Sequence, residues 1–250
     1  MINIQKEINY FKRKMLTYRH KFYQWQPFKI TFYLSSPIAL NHPWLHFDGL
    51  IAHLSLLYVL GNDFYLLPAK FPLSLVLKDG KGPILPLKKT GQLWHASVSI
   101  LEPYKIYLET LYKRFEDRFC AQKKKIRRGS GYFKDYAMKT PYISARTCTF
   151  YAVGDIEAVA KLCTMIVGLG NETRIGFGAI RDFVLEPTDK DYSIVKDGKA
   201  MRPIPKRFLR RWAKLVPLAW TPPYWARDRI ELCAPPFTEV ELGEEMARDI

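Results

Sequence analysis

The chain has 250 residues, of which 48% are hydrophobic and 14% aromatic, enough to bury a sizeable core, so wholesale disorder is excluded. Its formal net charge is +15, and the last twelve residues carry five acids (Glu239, Glu241, Glu244, Glu245, Asp249) against Arg248, a net −4 that leaves +19 on the first 238. Basic charge concentrated on a folded body is the electrostatic footprint of a nucleic-acid binder.

Residues 1–26 are basic and aromatic and are expected to form an amphipathic helix that Pro27 ends. Lys6, Glu7, Lys12, Arg13 and Lys14 interrupt its apolar runs, so it does not resemble a signal peptide. The alternating run 28–34 reads as a first strand. After Pro37, a helix is expected over 51–60 with Asp48 as its N-cap. Strand candidates follow at 71–77, 84–87 and 93–101, then a charge-rich excursion over 113–134. Residues 146–153 read as a strand. Asp155 should cap a second helix, 156–167, and a last strand covers 179–185. No stretch reaches the ~18 apolar residues of a spanning helix.

Strand, helix, two or more strands, helix, strand is the order of a ferredoxin-like α+β fold, with helices on one face of an antiparallel sheet and the other face free. The Pro-rich remainder, 207–250, reads as an elaboration wrapped on that core. The sequence shows neither a fixed-period repeat nor the aromatic signatures of a classical RNA-recognition module.

Between the second helix and the last strand lies GLGNETRIGFG (168–178). Gly168, Gly170, Gly176 and Gly178 frame Arg174 and Phe177. Glycine tolerates positive φ and brings bare amides close to a ligand, so such a loop suits an anion such as a backbone phosphate. The excursion adds nine positive charges, among them Lys123, Lys124, Lys125, Arg127 and Arg128, followed by Tyr132, Phe133 and Tyr136. Basic side chains for phosphates next to ring faces for bases is a single-strand binding mixture.

For chemistry, five histidines are the candidates: His20, His42, His46, His53 and His95. His53 falls on the helix face expected to pack in the core. His42 and His46 flank Trp44 in a turn broken by Pro43, which reads as loop structure or RNA contact rather than a metal pair. No H-E-x-x-H, paired carboxylates or Walker-type loop appears. Cys120, Cys148, Cys163 and Cys233 form no C-x-x-C pair, which argues against a zinc ribbon and fits a reducing, cytoplasmic setting.

Three stretches in order carry a family resemblance: Pro43, His46, Asp48, Gly49, Leu50, Ile51 and Ala52; then Gly170, Arg174, Gly176, Phe177 and Gly178; then AMRPIP (200–205), which contains Arg202. Over about residues 28–206 the chain resembles the RAMP superfamily of CRISPR effector subunits, and its third stretch resembles the Cas-five-like, third Csf-type subunit of type IV complexes. The resemblance implies a non-catalytic subunit that holds the repeat-derived 5′ handle of the CRISPR RNA. Such a subunit packs beside backbone and large subunits and helps engage target DNA in antiviral defence, with no cofactor and no membrane. It implies a RAMP ferredoxin-like domain over 27–206, with an insertion at about 113–136 placed like the thumb of relatives. The expected RNA contacts are the glycine loop with Arg174, Arg146 and Arg181 beside it, His46, Arg202 and the 123–128 cluster. Some relatives cleave precursor RNA, so the alternative is a metal-independent endoribonuclease using His42 or His46.

Overall fold

The computed structural model describes residues 24–66, 85–114, 129–130, 134–244 and 246. Residues 1–23 of the expected N-terminal helix (1–26), the strand 71–77 and the 123–128 cluster lie outside these residues, and Gln26 and Pro27 belong to a strand instead.

Strand β1 (Gln26–Leu34) forms as its alternation dictates: Phe28, Ile30 and Phe32 are fully buried on one face, while Lys29, Thr31 and Tyr33 point to the other. It pairs antiparallel with both β8 (Thr147–Gly154) and β9 (Ile180–Pro187), and β5 (Ile100–Glu102) extends the sheet beyond β8. The order β5-β8-β1-β9 leaves β1 and β8 central.

Two α-helices cover one face among the described residues: α1 (Phe47–Leu60) after β1, and α2 (Ile156–Cys163) after β8. Helix α1 contributes Phe47, whose ring stacks on Phe150 at 5.0 Å and meets Phe28 edge-on at 6.2 Å. Asp155 caps α2 as expected, accepting from the Ala158 amide at 2.9 Å. That helix ends four residues short of expectation, where the Thr164 hydroxyl donates back to the Lys161 carbonyl. The opposite face of the sheet shows Thr31, Tyr33, Thr149, Tyr151 and Val184, all partly or well exposed.

Three expectations change. Asp48 is not the cap: α1 begins at Phe47, the cap position is His46, and no side chain bonds there. The 93–101 strand is broken into β4 (Leu93–Trp94, paired with β3, Lys89–Thr90) and β5. At the break the Arg202 guanidinium takes the carbonyls of Trp94 and Ala96, and the Val98 amide donates to the Met201 carbonyl. Residues 85–87 make only an isolated bridge, between Leu87 and Gly154.

A long antiparallel hairpin, β6 (Lys105–Lys113) and β7 (Tyr136–Ser144), is rooted on the short strand β2 (Ile38–Ala39). The excursion expected over 113–134 therefore falls, in sequence, between the two strands of this hairpin. Past residue 187 the chain makes small antiparallel pairs around a second core of Ile194, Ala200, Ile204, Trp220, Cys233 and Ala234. Strand β10 (Ile204–Pro205) pairs with β11 (Ile230–Ala234), so residues just before 206 share a sheet with the C-terminal stretch. The whole is a sheet-rich α+β structure with few helices.

Candidate nucleic-acid interface

The glycine loop folds back on the corner between β1 and β2. The Asn171 amide donates to the Ala39 carbonyl and the Gly178 amide to the Pro37 carbonyl, each at 2.7 Å. Ser36 Oγ donates to the Gly176 carbonyl (2.6 Å) and accepts from the Ala179 amide (2.8 Å). Gly168 bridges Ala179 across the loop neck. Gly170 and Gly178 have φ of 87° and 64°. A Cβ on Gly178 would sit 1.8 Å from the Leu169 carbonyl oxygen, and one on Gly170 2.5 Å from that of Ala39. Only glycine permits these backbone approaches.

The expectation that loop amides cradle a phosphate changes at 176–178. The amides of Gly176 and Phe177 donate to the carbonyls of Thr173 and Glu172, and that of Gly178 to Pro37. The loop instead presents side chains. Arg174 stands exposed on a single 3₁₀ turn, Thr173–Ile175, which is rimmed by exposed Ile175.

Arg146 and Arg181 flank the same end of the sheet. The Leu34 amide donates to the Arg146 carbonyl, Leu34 faces Ile180, and the Arg181 guanidinium lies 5.9 Å from the Tyr33 ring. Both arginine side chains are exposed. The hairpin base joins this end: Phe177 lies 5.7 Å from Tyr142, which stacks on Tyr107 at 5.5 Å. Cross-strand pairing puts Lys105, Tyr107, Tyr142, Lys113 and Tyr136 on one face of the hairpin, with Lys113 Nζ 5.8 Å over the Tyr136 ring. Ile106 and Leu108, 62% and 61% exposed, lie on the other face. The hairpin was not expected from the sequence, because the cross-strand pair of Tyr107 and Tyr142 joins residues far apart in the chain.

Arg202 does not reach this surface. It is 1% exposed, and Nη2 donates to Asp48 Oδ2 (3.0 Å), the Trp220 carbonyl (2.7 Å) and the Tyr224 hydroxyl (3.2 Å). The Tyr224 hydroxyl lies 2.7 and 2.8 Å from the Asp48 oxygens and donates its proton to that carboxylate. Burial and the Asp48 charge push the Tyr224 hydroxyl well above the usual tyrosine range. With both Nη atoms engaged inward and Nε buried, Arg202 ties α1 to the C-terminal sheet.

His46 stacks on Tyr224, ring centroids 3.5 Å apart and 13° between planes. Burial, then the positive charges of Arg202 and His42, hold its imidazole well below the usual histidine range, so it is neutral at pH 7. His42 and His46 do come together, on one pocket with Trp44. His53, expected in the core, is exposed and meets Phe64 edge-on at 5.1 Å. His95 is fully buried between Asp191 (Nδ1 to Oδ2, 2.5 Å) and the Thr90 hydroxyl (2.8 Å from Nε2). Burial opposes charge on Asp191, but hydrogen bonds from His95 and Ser193 hold its carboxyl below the usual range. Cys148, Cys163 and Cys233 are buried free thiols. Among the described residues no group of three or more His, Cys, Asp or Glu is placed to hold a metal, and no helix is long and apolar enough to cross a membrane.

Comparison with known families decides the class. Residues 104–236 match the family described as CRISPR type IV associated protein Csf3. The chain belongs to the Csf3 family. The matched stretch takes in the whole hairpin, the glycine loop, Arg146, Arg181, Arg202 and Tyr224, but not Asp48 or His46. No curated protein matches the chain. Among solved structures it is distantly similar to a chain in the cryo-EM structure of the Type III-B Cmr-beta bound to cognate target RNA: 8% identity over 74% of this chain and 67% of that one, TM-score 0.37.

Proposed function

We propose that this Csf3-family chain is a non-catalytic subunit of a type IV CRISPR effector complex that binds the guide RNA at its 5′ handle. In this reading it is a Cas-five-like RAMP protein of ferredoxin-like topology. Two strands central in the order β5-β8-β1-β9, each followed by a helix on the same face, support that topology. One observation carries the functional reading. The glycine loop, with Arg174 exposed on it, joins the sheet end that carries exposed Arg146 and Arg181 to the hairpin base, where Phe177 meets the ring series Tyr142 and Tyr107. Guanidinium forks pair with phosphates, and rings stack on bases.

The RNA would run from the arginines across the ring face of the hairpin toward Lys113 and Tyr136, between which the basic run 123–128 lies in sequence. Backbone and large subunits of the complex, and target DNA, would meet the remaining surfaces. Because the loop amides of 176–178 are engaged internally, phosphate recognition falls to side chains. That makes binding register-setting and salt-dependent rather than dictated by base identity.

Incubating the purified chain with labelled repeat RNA in EDTA tests this reading against the endoribonuclease alternative. Retention of intact RNA supports the binder. Metal-free cleavage at one site, abolished by His42→Ala or His46→Ala, supports the enzyme.

A further inference from the structure

The histidine–tryptophan–histidine turn has a use that general RNA retention does not explain. It forms one wall of a pocket of about 320 Å³, within the range of small-ligand sites (about 300–1,000 Å³), and the C-terminal stretch forms the other. His42, Trp44, His46, Tyr224, Leu218 and Ile230 line it. The lining holds no Asp, Glu, Lys or Arg. We propose that this pocket receives a single unstacked nucleobase from the bound strand; the proposal rests on the nucleic-acid reading above.

The chemistry selects a flat, uncharged, aromatic guest. Ring faces and aliphatic carbon supply stacking and apolar contact, and nothing in the lining would neutralise a phosphate. His46 supplies a neutral imidazole, able to donate or accept but carrying no charge at pH 7. Its wall is pre-organised: His46 lies flat on Tyr224, and the Tyr224 hydroxyl is fixed by Asp48, whose charge Arg202 balances. A rigid aromatic wall lowers the ordering cost of binding.

The position also fits. Ala39 bonds the glycine loop through Asn171 and faces Tyr142 of the hairpin. Trp44 follows it by five residues, no more than about 18 Å of extended chain. The pocket therefore lies within reach of a strand held at the glycine loop.

The test uses the full chain and a short single strand in which one abasic residue is moved position by position, made once as RNA and once as DNA. With wild type, one position should cost about tenfold or more in affinity, the scale of removing one base–aromatic stack. Trp44→Ala should weaken the intact strand by a similar factor and make that position neutral, with the slope of log affinity against log salt unchanged. Trp44→Phe should keep most of the effect. Ile230→Trp, which fills the pocket from an exposed position, should reproduce the loss even if Trp44→Ala does not fold. The RNA and DNA series together identify which strand supplies the base. If wild type binds the strand but every abasic position costs the same in wild type and Ile230→Trp, the pocket takes no base and the proposal is wrong. If wild type binds no single strand at all, the underlying binding reading fails, and the pocket assignment with it.

Discussion

Arg202 and Asp48, 154 positions apart, meet as a buried ion pair with Nη2 3.0 Å from Oδ2 and both side chains 1% exposed. The pair joins the first helix of the sheet domain to the C-terminal core. Breaking such a pair leaves an uncompensated buried charge, which costs about 3–5 kcal/mol. Arg202→Met should therefore lower stability by about that amount in chemical denaturation. Its folded fraction should bind RNA with an unchanged salt slope. A lower salt slope at unaltered stability would return Arg202 to the RNA surface.

His46 makes stability depend on pH. Its folded-state pKa is depressed, so the unfolded chain binds the proton more readily as pH falls below about 6.5, the ordinary histidine value. The stabilising contribution is present above that pH and is lost as pH falls toward the depressed folded value. His46→Phe keeps a ring on Tyr224 and cannot titrate. Wild type should lose stability more steeply than this variant on acidification below 6.5, read as Tm against pH. Parallel profiles would show that His46 is not the titrating group.

Gly178 and Gly176 separate close approach from backbone strain. Both have positive φ, 64° and 98°, but a Cβ on Gly176 meets nothing within 4 Å, whereas one on Gly178 would collide with the Leu169 carbonyl. Gly176→Ala should cost about 1 kcal/mol from the left-handed conformation alone, with RNA binding little changed. Gly178→Ala should cost more than that in thermal unfolding and also weaken RNA retention, because the loop must shift. Equal effects at the two positions would contradict the close-approach argument.

What the sequence revealed and what it hid follow one physical division. Local patterns were legible: the alternation of Phe28, Ile30 and Phe32, the Asp155 cap, and the glycines whose spacing signalled positive φ. Contacts made across long stretches of chain were not. In the sequence Asp48 stands just before the apolar run 51–60, as a cap would, and nothing local says that its carboxylate is taken by Arg202 and Tyr224. Arg202 looks like any surface arginine until the carbonyls of Trp94, Ala96 and Trp220 converge on it. The two strands of the hairpin carry exposed apolar and charged residues on both faces, so they lack the half-buried alternation by which a strand is recognised. Nothing local marks Ser36 either, yet its hydroxyl pins the glycine loop.

The basic run 123–128 should act through charge. Replacing Lys123, Lys124, Lys125, Arg127 and Arg128 with serine should weaken binding across unrelated RNA sequences. For each phosphate that the protein no longer neutralises, the salt slope should fall by about 0.7 for single strands. An unchanged slope would mean that this run is a solvated surface.

Arg174 tests the central claim most directly. It is exposed, it sits on the turn where loop, sheet end and hairpin converge, and it carries no core packing whose removal would confuse the result. The measurement is the affinity of the purified chain for labelled repeat RNA in EDTA, wild type against Arg174→Ala, with Tm recorded for both. The account predicts several-fold weaker binding of intact RNA at an unchanged Tm. Equal affinity of the two proteins, or no RNA binding by wild type, would contradict it.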